Sequence, residues 1–288
     1  MSKFLKENNL QTKKQKQLQH CISINEKEIC EKYENGYTIL ELSKMYNVST
    51  IVIKDRLKRN NISIRSNSES HRKYSLDENY FDIIDTPNKA YILGFICADG
   101  CVSDRNELII GLSLKDIDWI NFFKAELKSE RPLQFKETSC EIRINSKKIC
   151  NDLKKYEILP RKSLTLNIKN VIDKASLKEP YLSLFLLGYF DGDGGIYHFK
   201  KEGYTEQYCC SITGTYETCE YFKEYFHNVG FFHKRFPERK NNNTTYQIGG
   251  KNLVYKSLSK LYENSSQLSF FLKRKKNIFD SIKGPDKV

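Results

Sequence analysis

A chain of 288 residues with 39% apolar and 12% aromatic side chains is long enough for one large folded domain or for smaller ones that each bury a core. Its 48 Lys and Arg against 36 Asp and Glu leave a formal charge of +12, and residues 1–75 alone hold fifteen basic and eight acidic residues, an excess that favours a polyanionic partner. No apolar run approaches the roughly 20 residues of a membrane span and the N-terminus has no secretion-signal core, so an intracellular, soluble, unsecreted protein is expected.

Residues 1–25 are Lys- and Gln-rich, with too few apolar positions to specify a buried face, and read as a basic arm. From Glu26 the pattern turns helical: Ile29 and Tyr33 share a face and Gly36 is a stop signal. Thr38 with Glu41 fits a capping box ahead of Leu42, Met45 and Tyr46, and Ser49 or Thr50 starts a third helix through Ile51, Ile53 and Leu57. Two short helices joined by about four residues, the second carrying Lys54, Arg56, Lys58 and Arg59, make the helix-turn-helix pattern that lays its second helix in a major groove. Residues 36–62 also resemble the resolvase-type helix-turn-helix family, so 26–62 is expected to be a small all-α DNA-binding domain. Residues 63–80 read as a linker, and its Arg65 and Arg72 are candidates to follow a DNA groove.

Beyond the linker the chain nearly repeats itself, with copies expected at 81–178 and 179–288. YILGFICADGCV at 91–102 matches FLLGYFDGDGGI at 185–196. Each copy is an apolar helix with small residues at i and i+4, Gly94 with Ala98 and Gly188 with Gly192, a stripe that lets two helix backbones approach closely. Each ends in Asp-Gly, at Asp99 and Asp193, with the glycine expected in the left-handed cap conformation. A carboxylate at a helix C-terminus faces the negative end of the macrodipole, and two brought together repel, so the pattern points to a bound cation; Mg²⁺ suits paired carboxylates, waters and phosphate oxygens. Strand-then-helix patterns follow in both copies, EIRINSKKICNDL at 141–153 being matched with YQIGGKNLVYKSL at 246–258. Alternation sends Ile142 and Ile144 to one sheet face and Arg143 and Asn145 to the other. It likewise separates Phe232 from His233 and Arg235, and Gln247 joins these polar candidates for DNA contact. The nine cysteines show no C-x-x-C spacing and are expected to be reduced thiols.

ILGFICADG and LLGYFDGDG resemble the two motifs of single-chain LAGLIDADG homing endonucleases, and the resemblance runs from about residue 85 to 283. It implies an α+β fold of two pseudo-symmetric LAGLIDADG repeats with saddle-shaped antiparallel sheets, the motif helices forming the interface between them. It further implies that Asp99 and Asp193 bind the catalytic metal, Mg²⁺ or alternatively Mn²⁺. Lys162 and Lys275, or Lys273 in place of the latter, would be the basic residues near the active site. The first copy departs from the family pattern, carrying Cys97 where the second keeps Asp191. The implied reaction is hydrolysis of one phosphodiester in each strand of a long, asymmetric double-stranded DNA site by a monomer. Two alternatives are a maturase for intron RNA and a non-cleaving DNA-binding regulator. The resemblance leaves open whether the host element is an intron, an intein or a free-standing gene, and hence which compartment holds it.

Overall fold

The computed structural model describes residues 25–65, 74–200, 206–226, 231–233 and 243–282. Arg72 and Arg235 lie outside the described residues, as does the side chain of His233. The chain divides into two compact units, residues 1–73 and 74–288.

The first unit packs three helices, α1 (Glu26–Glu34), α2 (Ile39–Met45) and α3 (Thr50–Arg59), around Ile29, Tyr33, Leu42, Ile53 and Leu57. The capping box is present: the Glu41 amide donates to the Thr38 hydroxyl at 3.1 Å and the Thr38 amide to the Glu41 carboxylate at 2.8 Å. Ser49 is the N-cap of α3 without a side-chain hydrogen bond.

Two of the expected DNA contacts are turned inward. Arg56 is buried and pairs with Glu26 at 2.7 Å, because its position on α3 faces α1. Arg65 packs over the Tyr33 ring at 4.1 Å and donates to the Tyr33 carbonyl at 2.9 Å, so it belongs to the helical unit and not to a linker starting at residue 63. Lys54, Lys58 and Arg59 are exposed on α3.

The second unit contains two copies of one topology. Helix α4 (Pro87–Asp99) leads into β1 (Gly100–Val102) and β2 (Glu107–Ser113), then α5 (Ile117–Glu126), β3 (Gln134–Phe135), β4 (Ser139–Asn145), α6 (Lys147–Lys155) and α7 (Ile168–Lys174). Helix α8 (Tyr181–Asp193) begins the second copy, with β5 (Gly194–Phe199), β6 (Gln207–Thr215), α9 (Tyr216–Tyr225), β7 (Phe231–His233), β8 (Asn243–Gly249), α10 (Lys251–Tyr262) and α11 (Lys273–Ser281). The antiparallel sheets have matching orders, β1-β2-β4-β3 and β5-β6-β8-β7, and a single apolar core joins both halves.

Strand register corrects the matching of the two copies by one residue. Gly100 pairs with Ile110 and Ile110 with Ile142; equivalently Gly194 pairs with Ile212 and Ile212 with Tyr246. Arg143 therefore corresponds to Gln247, and both stand on the face away from the core while Ile142 and Tyr246 point into it. A slip of one residue would exchange the two faces.

The middle turns of α4, residues 90–98, and of α8, residues 184–190, are apolar or small on every side, as befits helices enclosed by protein. Residues 90–98 of α4 are all buried. Their crossing is set by glycine: a methyl built on Gly94 would lie 1.9 Å from the Phe185 carbonyl oxygen, and one on Gly188 would lie 1.9 Å from that of Tyr91. Lower down, a methyl on Gly192 would meet the Ala98 methyl at 2.4 Å. The small residues thus bring two main chains into direct contact.

Candidate active site

Both motif helices end where a strand begins, and there the expected left-handed glycine is absent. Gly100 has φ −75° and Gly194 φ −93°, so each chain leaves its helix in extended conformation. Glycine is required for space: a methyl on Gly100 would stand 2.7 Å from the Ile96 carbonyl oxygen, and one on Gly194 would stand 2.5 Å from that of Phe190.

This abrupt exit places Asp99 and Asp193 together at the foot of the helix pair, in a cavity of about 350 Å³ also lined by Cys101, Lys162, Tyr189, Thr213 and Asn243. Asp99 keeps an exposed face towards the cavity while protein crowds its other sides. Desolvation, then the charge of Asp193, push its carboxyl up to about 6; desolvation also raises Asp193, against the opposing pull of Lys162 and Lys275. The helix termini supply their negative ends to the same spot.

Two buried lysines meet those termini. The Lys162 ammonium donates to the carbonyls of Cys97 and Ala98, both at 2.6 Å. Lys275 donates to Phe190 and Asp191 at 2.7 Å and to Gly194 at 2.6 Å. Lys162 thus satisfies main-chain oxygens that the end of α4 leaves unpaired; Lys275 does so for Asp191 and adds a second donor to the Phe190 oxygen, which already accepts from the Gly194 amide. Burial lowers both ammonium groups, Lys275 to about 8, opposed by nearby acidic groups. Three accepting carbonyls around Lys275 call for three N–H donors, which only the charged form has. Lys273, the alternative to Lys275, is exposed.

Arg143, Asn145 and Gln247 are not among the residues that line this cavity. Arg143 pairs with Glu141 at 2.7 Å on the outer face of its sheet, Asn145 is exposed beside it, and Gln247 is half-buried on the matching strand. Among the described residues no group of three or more His, Cys, Asp or Glu side chains is placed to hold a metal ion. The eight described cysteines are free thiols.

Several ties between the halves escaped the sequence reading. Asp191 accepts from the Tyr91 hydroxyl at 2.6 Å, and Arg274 grips Asp116 through two bonds of 2.8 and 2.9 Å. The one available signal was the paired departure of the two motifs: Tyr91 with Asp191 in one relation, Phe185 with Cys97 in the other.

No model of a protein family matches the chain. An uncharacterized protein of Methanocaldococcus jannaschii is 29% identical over 168 residues, 55% of this chain and 59% of that protein, so less than two thirds of the relative's length is matched. Among solved structures, the chain is similar to the meganuclease I-SmaMI bound to uncleaveable DNA, with 14% identity, TM-score 0.49, and coverage of 68% of this chain and 88% of that one. It is also similar to the LAGLIDADG homing endonucleases I-GzeII and I-LtrWI in complex with target DNA. These are 12% and 13% identical, each with TM-score 0.46, covering 68% and 71% of this chain and 88% and 91% of theirs. No helix among the described residues is long and apolar enough to cross a membrane.

Proposed function

We propose that this chain is a site-specific DNA endonuclease of the LAGLIDADG homing type, hydrolysing one phosphodiester in each strand of a long, asymmetric duplex with a divalent cation. The observation that carries the reading is the pair Asp99 and Asp193, side by side at the ends of two helices in main-chain contact, each with its carboxyl raised by its surroundings.

The residues present fit such an ion. Two carboxylates whose ionisation is resisted by burial and mutual charge gain most from a cation beside them. Two protein carboxylates without a larger ligand cage suit Mg²⁺, or Mn²⁺, which keeps waters and takes further oxygens from a phosphate. When bound, the ion would neutralise charge on the scissile phosphate and its leaving oxygen. Asp99 and Asp193 would hold it. Lys162 and Lys275 fix the carbonyls just before the turn, which sets the spacing of the two aspartates, and the charge of Lys162, which lines the cavity, favours a polyanion there.

Arg143, Asn145 and Gln247 stand on outer sheet faces from which side chains can reach base edges. The first unit is read as a helix-turn-helix domain whose Lys54, Lys58 and Arg59 contact backbone phosphates. Because both motif helices come from one chain, the proposed active unit is a monomer.

A randomised duplex library cut in Mg²⁺ and sequenced at the new ends would define the site. On that duplex, Asp99→Asn or Asp193→Asn should leave binding intact or tighter, as a charge facing phosphate is removed, while cleavage of at least one strand falls by orders of magnitude. Wild-type cutting of both strands by both variants would rule the proposed active site out.

A further inference from the structure

Asp191 is an acid of the motif helices that the proposed chemistry does not use, and it is fully enclosed, with only 1% of its surface exposed. Its Oδ2 accepts from the Tyr91 hydroxyl of α4 at 2.6 Å and from the Leu272 amide at 3.0 Å; its Oδ1 has no hydrogen-bond partner. Leu272 is the N-cap residue of α11, and Lys275 lies in the first turn of that helix with its ammonium on the carbonyls of Phe190, Asp191 and Gly194. One carboxylate therefore ties α4, α8 and the start of α11 together at the point from which Lys275 enters the site.

The first half has no such tie. Cys97 occupies the motif position of Asp191, and Phe185 that of Tyr91. Lys162 instead lies at the start of a short 3-10 turn, Lys162–Leu164, preceded by Arg161 in the left-handed region at φ 61°. The two lysines share one equivalent carbonyl, that of Cys97 and of Asp191, and reach it by different supports.

We propose that Asp191 is a positioning residue that fixes the first turn of α11 so that Lys275 seats on the end of α8, and that this support exists in the second half alone. Full burial of a carboxylate is tolerated only while its hydrogen bonds are kept, and here they go to one main-chain amide and one cross-helix hydroxyl. On the endonuclease reading, on which this consequence rests, the two strands are unequally sensitive: loosening Lys275 slows cleavage at the phosphate nearest it and spares the other.

The full-length double variant Tyr91→Phe/Asp191→Cys tests this, because it installs in the second half the residue pair already packed in the first. Asp191→Asn, nearly isosteric, is a second variant should the double one unfold. Two readouts are taken. Acylation of lysines by a water-soluble reagent, followed by peptide mass spectrometry, should show Lys275 modified roughly tenfold faster and Lys162 unchanged, the equivalent of removing one hydrogen bond to a charged group. Strand-resolved cleavage should show kcat falling by about the same factor on one strand, with KM and duplex affinity unchanged. Unaltered Lys275 labelling in a folded variant, or equal slowing of both strands, overturns the proposal. If the wild-type protein cuts no DNA, the endonuclease reading fails while the labelling still decides the role of Asp191.

Discussion

At the ends of α4 and α8 each aspartate carries a cost that shows in how stability depends on pH. The Asp99 carboxyl is raised to about 6, above the roughly 3.9 of an unfolded chain, so the folded state holds the proton more tightly. Stability from this group is therefore full below about pH 4 and is lost as pH rises through 6. With divalent ions chelated, Asp99→Asn should raise stability near pH 8 by no more than about 1 kcal/mol, because the group is partly open to solvent, and the melting temperature with it, and leave both unchanged near pH 3.5. Adding Mg²⁺ should narrow or reverse the difference by stabilising the wild type. A gain independent of pH, measured by thermal unfolding, would contradict this account. The lysines are the reverse case, cations tied to carbonyls. Lys162→Met or Lys275→Met keeps much of the stem, loses the charge, and should slow cleavage far more than it weakens binding; equal effects on both would reduce them to phosphate-binding groups.

Among the elements, the crossing of α4 and α8 has the least tolerance. Gly94→Ala and Gly188→Ala each force a methyl into a carbonyl of the opposite helix, which must then move, and the cost should reach the upper end of the roughly 1–3 kcal/mol of core overpacking or exceed it. Gly111→Ala is the contrast, since its methyl would meet the Glu141 Cβ at an ordinary 3.6 Å and alanine suits a strand better than glycine. Denaturant unfolding of the three variants checks the difference. Similar stability for all three would mean that the helix pair is not held by main-chain contact.

Across the whole molecule, two units with separate cores invite a division of labour. A chain beginning at Tyr74 keeps the cavity, both aspartates and both lysines, and on the proposed reading it should still cut DNA at low salt. Its affinity should depend less steeply on salt, the slope falling by about 0.9 for each phosphate that the first unit neutralises in the full-length protein. Binding titrations over a range of NaCl concentrations measure this, and an unchanged slope would assign the first unit to something other than phosphate.

The sequence by itself determined the duplication, the two motif helices with their glycines, the aspartates at their ends and the capping box at Thr38, because each is a local pattern of small, apolar or acidic residues at fixed spacing. It also placed Ile142 inside and Arg143 outside, since alternation along one strand needs no partner. Tertiary structure alone decided the rest. Sheet register moved the match of Arg143 to Gln247, and packing between distant helices turned Arg56 and Arg65 inward. The glycines after the aspartates proved to be there for space and not for handedness, because the oxygen each must avoid lies one helical turn back. The family resemblance already put Lys275 ahead of Lys273, but its seat on three carbonyls about 81 to 85 positions away in sequence is a meeting of segments that no local spacing encodes.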